Sequence, residues 1–313
     1  MKFTFSLGEI SMSKVTLGIC ALIEKEGVKQ LIRRSFKEGV DEVVLVTPNS
    51  QLAREVKKQY ANYNVKIIIE NNRKGKSAAI NEIFRNSSGD VILMASADIK
   101  VKDGTITKLI KLITSEDNIG IVDSHVLLRN QKGKFFTSVV NSAWLLHNLT
   151  MIELNNKNRL GHVAGDLYII KQGIIRKIPE YIINDDAFIA IVARLKGYKV
   201  LHEPTAICYI LGPQNPYDYI LQRSRVLYGH FQILRYFGRF PTTFQFTIVR
   251  KPLIAIDIAR KAIRKIGIKR IFQFFIALFL ETLSIFYLLV FFILMGKKPN
   301  MWKIVITTKK DFI

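Results

Sequence analysis

Val91-Ile92-Leu93-Met94-Ala95-Ser96-Ala97-Asp98 is an unbroken apolar run that closes on small residues and a single acid. Such a run, with no polar alternation, reads as a strand buried on both faces, the pattern of a parallel sheet. Upstream, residues 15–22 read as a buried strand, and residues 42–47 and 65–69 as further strands. Between these strands, residues 26–36, 51–60 and 77–84 place apolar side chains at helical spacing. Strands and helices in regular succession imply right-handed crossovers and an α/β architecture with a mixed, mainly parallel sheet. Ligands of such sheets bind beyond the carboxyl ends of the strands. Glu24, the loop after Thr47, residues 71–76 and Asp98 all fall at that edge.

Downstream, residues 103–211 mix helices and strands less regularly, and residues 217–236 read as a helix rich in Arg, Tyr and Leu. The pattern then changes. Residues 237–270 form a basic amphipathic stretch with Arg250, Lys251, Arg260, Lys261, Arg264, Lys265, Lys269 and Arg270. Residues 271–295 are almost wholly apolar, broken by Gln273, Glu281 and small hydroxyl residues. That run exceeds the roughly 20 residues needed to cross a bilayer; the alternative is a buried core helix, which is rarely apolar on every side over such a length. A basic segment beside an apolar span marks the cytoplasmic side and suits anionic lipid headgroups. A catalytic domain over residues 1–236, a juxtamembrane segment, a membrane helix and a basic tail over 296–313 are therefore expected. The protein would sit at the cell membrane with its catalytic domain on the cytoplasmic side.

Charge alone does not identify the partner. Lys and Arg outnumber Asp and Glu by 47 to 25, for a net charge of +22. A nucleic-acid partner requires a recognisable module, and neither zinc-ligand spacing nor an aromatic RNA-binding motif is present. Cys20 and Cys208 lie in apolar segments without motif spacing, which suits buried thiols in a reducing compartment. No long apolar stretch near the N-terminus reads as a cleaved signal peptide.

Four features could carry chemistry. Asp98, at the end of a buried strand, needs a cation or hydrogen bonds. With a diphosphate beside it, its oxygens suit Mn2+ or Mg2+, and capping of the next helix is the equal alternative. In Asn184-Asp185-Asp186, mutual repulsion of the two carboxylates can raise one pKa and make a general base, or both can favour a helix N-terminus. Gln222 and Arg225, at i and i+3, share a helical face. There they either hold a diphosphate or belong to a solvated basic helix. Asn72-Arg73-Lys74-Gly75-Lys76-Ser77 is a basic loop opening a helix, a phosphate-binding arrangement or an exposed turn, and it lacks P-loop spacing.

The order of these features resembles family 2 glycosyltransferases, whose nucleotide-sugar-binding domain has the Rossmann-like glycosyltransferase A fold. Leu22-Ile23-Glu24 resembles the family's turn after the first strand. Lys74-Gly75-Lys76-Ser77-Ala78-Ala79-Ile80-Asn81 resembles its glycine-lysine-alanine-asparagine helix start. Ser96-Ala97-Asp98 is similar to the metal-binding Asp-x-Asp, with Ser in place of the first Asp. Val163-Ala164-Gly165-Asp166-Leu167-Tyr168 resembles the small-residue segment that lines the acceptor site, and Asp185-Asp186 stands where the family has Glu-Asp with its catalytic base. Gln222-x-x-Arg225 follows in family order, with Val226 in place of the usual Trp. Thr47-Pro48-Asn49-Ser50 stands where the family has an acidic pair for the nucleotide base.

The resemblance implies an inverting, metal-dependent transfer from a nucleotide-diphosphate sugar to a lipid-linked or saccharide acceptor. It assigns Asp186, with Asp185, to catalysis and Asp98 to a Mn2+ or Mg2+ ion. Glu24, Asn49, Lys76, Asn81, Asp98, Gln222 and Arg225 fall to the donor, and Gly165 and Asp166 to the acceptor. The alternative is a catalytically inactive membrane scaffold that keeps the fold. A nucleotidyltransferase would need a glycine-rich N-terminal loop with Arg and Lys, and residues 18–27 have none.

Overall fold

Strand alternation sorts the side chains of the central sheet into two cores. The computed structural model describes residues 13–72, 74–129 and 135–290. Arg73, the end of the apolar run at 291–295 and the basic tail at 296–313 lie outside the described residues. The strands are β1 (Val15–Cys20), β2 (Glu42–Thr47), β3 (Val65–Ile69), β4 (Val91–Ser96), β5 (Lys100–Val101), β6 (Ile119–Leu128), β7 (Leu167–Lys171) and β8 (Lys199–Ile210). They form one sheet in the order β3-β2-β1-β4-β7-β6-β8-β5. β3, β2, β1 and β4 are mutually parallel, as are β6 and β8. β7 runs against both β4 and β6. The sheet is therefore mixed and mainly parallel, as the strand–helix succession predicts.

The helices are α1 (Lys25–Lys37), α2 (Ser50–Gln59), α3 (Lys76–Asn86), α4 (Thr105–Ile113), α5 (Phe135–Asn156), α6 (Asp185–Leu195), α7 (Pro216–Phe237), α8 (Phe244–Arg250), α9 (Pro252–Ile266) and α10 (Ile271–Leu289). On one face of the sheet Leu17, Ile19, Val43, Leu45 and Leu93 pack with α1, α2 and α4. On the other, Val44, Val46, Ile92 and Met94 pack with α3 and α6. Both faces are covered because these strands carry no polar alternation. Gly18 lets α3 approach β1 closely, since a Cβ there would lie 2.4 Å from Ile83 Cγ2.

β1 ends at Cys20, earlier than the apolar pattern suggests. The Glu24 carboxylate accepts the backbone N–H groups of Leu22 (2.8 Å) and Ile23 (2.9 Å), which turns the chain out of the strand. The switch point of the sheet lies at β1, whose neighbours β2 and β4 lead away in opposite directions.

The C-terminal helices are docked onto α5 and α7. α10 buries Phe274, Ala277, Leu280, Ser284 and Leu288. Ala277 and Leu280 pack with Val139, Val140 and Tyr219 of α5 and α7. Phe274 packs with Leu146, Leu149, Ile258 and Ala262 of α5 and α9. The opposite face of α10 exposes Phe272, Phe275, Phe279, Phe286 and Leu289. At 19 residues and mean hydropathy 1.9, α10 is long and apolar enough to cross a membrane. Its one charged side chain, Glu281, sits on the protein side and pairs with Arg223 of α7 at 2.6 Å.

Candidate active site

A cleft of about 750 Å³ opens at the carboxyl edge of the sheet. Glu24, Lys76, Asp98, Gly165, Asp166, Asp185, Asp186, Gln222 and Arg225 all line it. Residues far apart in the sequence thus meet at the switch point, because each follows a strand end or lies on a helix that borders it.

Asp185 and Asp186 open α6. The Asp186 Oδ1 accepts from Ala187 N at 2.6 Å, and its Oδ2 lies against Gly165. Gly165 has φ +79°, and a Cβ there would lie 2.5 Å from that oxygen. Asp185 is buried and pairs with Lys76 Nζ at 3.1 Å. Lys76 Nζ also donates to Gly165 O at 3.4 Å. Burial raises the pKa of both aspartates, and Lys76 opposes that rise. Arg225 adds a weaker pull toward the charged form of Asp186. Desolvation works against the Lys76 ammonium, but Asp185 and Asp186 more than offset it and hold Lys76 above the ordinary lysine range. The lysine thus meets the carboxylate pair directly, a contact the phosphate-loop reading did not anticipate.

The loop bearing Gly165 is fixed from behind. Ala164 N donates to Asp123 Oδ1 at 3.1 Å, and Asp123 Oδ2 lies 3.1 Å from His202 Nδ1. Ser96 N donates to Asp166 O at 2.8 Å, and Ser96 Oγ to Gly165 O at 3.4 Å. Ser96 therefore ties the end of β4 to the Gly165-Asp166 segment.

The approach to α6 is clamped by α3 and α7. Ser77 Oγ donates to Ile182 O at 2.6 Å and Gln232 Oε1 accepts from Ile183 N at 3.0 Å. Asn184 Nδ2 donates to Val226 O at 2.9 Å. Gly229 admits that amide, since a Cβ there would lie 2.3 Å from Asn184 Oδ1.

Two expected donor residues take other positions. Asn81 is not among the cleft-lining residues. Its amide donates to Ile178 O and accepts from Ile178 N, both at 2.8 Å, so the carboxamide mimics a strand partner for a buried loop. Asn49 caps α2 by accepting from Leu52 N at 3.0 Å, and Pro48 lines the cleft beside it. Glu24 lines the cleft, but one of its oxygens serves its own turn. Asn81→Ala should leave the Ile178 peptide unpaired and destabilise the fold by about 2–5 kcal/mol. The denaturation midpoint should fall while the donor KM stays near wild type; a raised donor KM with unchanged stability would return Asn81 to the donor site.

Among the described residues no group of three His, Cys, Asp or Glu side chains is placed to hold a metal ion by itself. Asp98, half-buried at the cleft edge, suits a cation that takes one or two carboxylates and completes its shell with substrate phosphates and water.

Sequence reasoning missed Arg223, His147, His162 and His230, which also line the cleft. Glu281 was the available signal, because an acid inside an apolar run needs a partner.

Known proteins resemble this chain in sequence and in fold. Poly-beta-1,6-N-acetyl-D-glucosamine synthase of Staphylococcus aureus (strain COL) is 21% identical over 174 residues, covering 53% of this chain and 41% of that protein. The synthase of the same name from Staphylococcus epidermidis is 19% identical over 206 residues, covering 62% and 48%. The match thus spans less than half the length of these curated relatives. Among solved structures, the mannosyltransferase PcManGT from Pyrobaculum calidifontis, in complex with GDP-Man and Mn2+, superposes with a TM-score of 0.59. That likeness covers 93% of this chain and 83% of that one at 16% identity. GalNAc-T7 with UDP, GalNAc and Mn2+ gives a TM-score of 0.50 at 15% identity, over 65% of this chain and 45% of that one. The fold is therefore glycosyltransferase A. With the family model for glycosyl transferase family 2 matching residues 16–178, about half the chain, this protein belongs to that family.

Proposed function

We propose that the protein is an inverting glycosyltransferase that moves a sugar from a nucleoside-diphosphate sugar to an acceptor hydroxyl. The observation that carries this reading is the placement of Asp186 at the cleft wall, facing Gly165, with its companion Asp185 neutralised by Lys76. A neutralised neighbour leaves Asp186 as the carboxylate able to accept a proton. In the transfer, Asp186 takes the acceptor's hydroxyl proton while that oxygen bonds to the sugar's anomeric carbon. The bond to the diphosphate breaks, and the leaving group departs with the electron pair. General-base assistance of this kind is worth about 10²–10⁴-fold. Arg225 and Gln222, on the α7 wall, steady the departing diphosphate. A bound Mn2+ or Mg2+ on Asp98 would supply Lewis-acid stabilisation of the developing charge. Asp166 and Gly165 border the acceptor.

The same reading puts the enzyme at the cytoplasmic face of the cell membrane. Phe272, Phe275, Phe279 and Phe286 are each more than half exposed on one face of α10. Apolar exposure on that scale marks an interaction surface. Arg250, Lys251, Arg260, Arg264 and Lys265, on and between α8 and α9, supply charge suited to anionic headgroups. The acceptor would be lipid-linked or a saccharide presented there.

The test is nucleoside-diphosphate release by the detergent-purified full chain from a panel of nucleotide sugars, with and without Mn2+ or Mg2+. Release that needs the metal and falls by about 10²-fold or more in Asp98→Ala supports the reading. Ser96, where the family carries an acid, favours the inactive-scaffold alternative, and silence across the panel with lipid extract added as acceptor would establish that instead.

A further inference from the structure

The cleft does not end at Asp186. It continues past the Gly165 loop into a chamber walled by α5, α7, α8 and α10, where a few polar side chains stand among apolar ones. His147 comes from α5, His162 from the loop before Gly165, His230 from α7 and Thr243 from the start of α8. The His162 ring lies 5.9 Å from that of His147 and 6.2 Å from that of His230. His147 Nε2, His162 Nδ1, both ring nitrogens of His230 and Thr243 Oγ1 are buried without a hydrogen-bond partner. His162, His230 and Thr243 are each at least nine-tenths buried. Buried polar atoms are nearly always paired, so such a concentration in one chamber calls for a polar occupant.

The chamber's charge narrows the occupant. Arg223 is neutralised by Glu281, through Nε at 2.6 Å and Nη2 at 3.0 Å. Glu281 also accepts from Tyr219 OH at 2.6 Å and Gln245 Nε2 at 3.0 Å. Burial pushes the His162 pKa down to about 4 and those of His147 and His230 well below the ordinary value. Near neutral pH the three imidazoles are therefore uncharged, each with one donor and one acceptor nitrogen. A phosphate group needs a surplus of cations and donors. A hydroxyl both donates and accepts, and so matches a neutral imidazole. Trp144 also lines the cavity, its ring 5.3 Å from that of His147, and an indole offers a surface on which the C–H groups of a sugar ring can lie.

We propose that this chamber is the acceptor subsite and takes a neutral, hydroxyl-rich sugar ring, held by His147, His162, His230 and Thr243 against Trp144. The inference deepens the transferase reading above and rests on it. Ile248, Phe274, Leu278 and Ile285 also line the cavity, which gives room for an apolar chain attached to the ring as well as for a free saccharide.

The test is binding of methyl β-glycosides of glucose, mannose, galactose and N-acetylglucosamine to the full chain in a sugar-free amine-oxide detergent, followed by saturation-transfer NMR. Octyl β-glycosides of the same sugars form the second arm and inorganic phosphate the competitor. At least one glycoside should bind, and should weaken about tenfold or more in His162→Ala and His230→Phe. His230→Gln, which keeps a donor and an acceptor, should bind within about threefold of wild type and guards against a folding defect. Octyl binding that exceeds methyl binding assigns a lipid-linked sugar; equal binding assigns a free one. Absence of glycoside binding, displacement by inorganic phosphate, or binding unchanged in both histidine variants would overturn the proposal. Glycoside binding without nucleotide release from any donor would sink the transferase reading alone, and release without glycoside binding would sink the chamber alone.

Discussion

Asp186→Asn lowers the transfer rate by about 10²–10⁴-fold while nucleotide-sugar affinity stays close to wild type, the outcome expected for a general base. Asparagine preserves the shape and the hydrogen bond from Ala187 N, so only the proton-accepting capacity is lost. The substitution also carries its own control for folding. Burial raises the Asp186 pKa above its ordinary value. A carboxyl group with a raised folded-state pKa favours folding when protonated, below its unfolded pKa. That contribution is lost as pH rises through the folded pKa, so at neutral pH the buried charge opposes folding. The asparagine variant should therefore melt no lower than wild type at neutral pH. Its advantage should vanish in acid, where the aspartate is protonated too. In the wild-type enzyme, transfer should fall as pH drops through the raised pKa of the pair, above the usual carboxylate range. Equal loss of donor affinity and turnover in Asp186→Asn would assign the residue to donor binding instead.

The parts of the molecule legible in the sequence are those in which one local rule decides the structure. β2 and β3 fall where their apolar runs place them, β2 buried along its whole length and β3 partly exposed at the sheet edge with Lys66 among its apolar residues. Asp98, Asp185 and Asp186 were legible for a related reason: acids at the ends of apolar segments are costly unless they have a partner. The partnerships themselves were not legible. Lys76 reads as a phosphate-loop lysine until α3 and α6 are brought together, where its ammonium meets Asp185. Asn81 fits a family pattern, yet the geometry of its amide is used by a peptide 97 positions away. The histidine chamber gave no periodic signal, since His147, His162 and His230 lie on two helices and a loop that only the tertiary fold apposes. α10 shows the limit from the other side. Its composition reads as a free membrane span, whereas Ala277, Leu280 and Ser284 commit one face to α5 and α7.

Gly165→Ala tests whether the base is set by contact rather than by composition. Two separate effects act at this position. The residue sits at φ +79°, where a side chain is strained, and a non-glycine residue there costs about 1–2 kcal/mol. The added methyl would also lie 2.5 Å from Asp186 Oδ2 and 3.0 Å from Asp186 Cβ, so the carboxylate must move. A displacement on the order of 1 Å in a reacting group can lower the rate by about 10²-fold. The expected result is therefore a loss of that size in kcat, with donor KM little changed, since Arg225 and Gln222 stand on another helix. Gly173→Ala separates the two effects. Gly173 has φ +82°, and a methyl added there would meet no atom within 4 Å, so it carries the same backbone strain with no collision. Both variants should lose similar stability, and only Gly165→Ala should lose turnover. Matching losses of turnover in the two would mean that strain in the fold, not the position of Asp186, limits the reaction. A Gly165→Ala enzyme with normal kcat would show that the Asp186 carboxylate can act from a second position, and would remove the geometric basis for naming it the base.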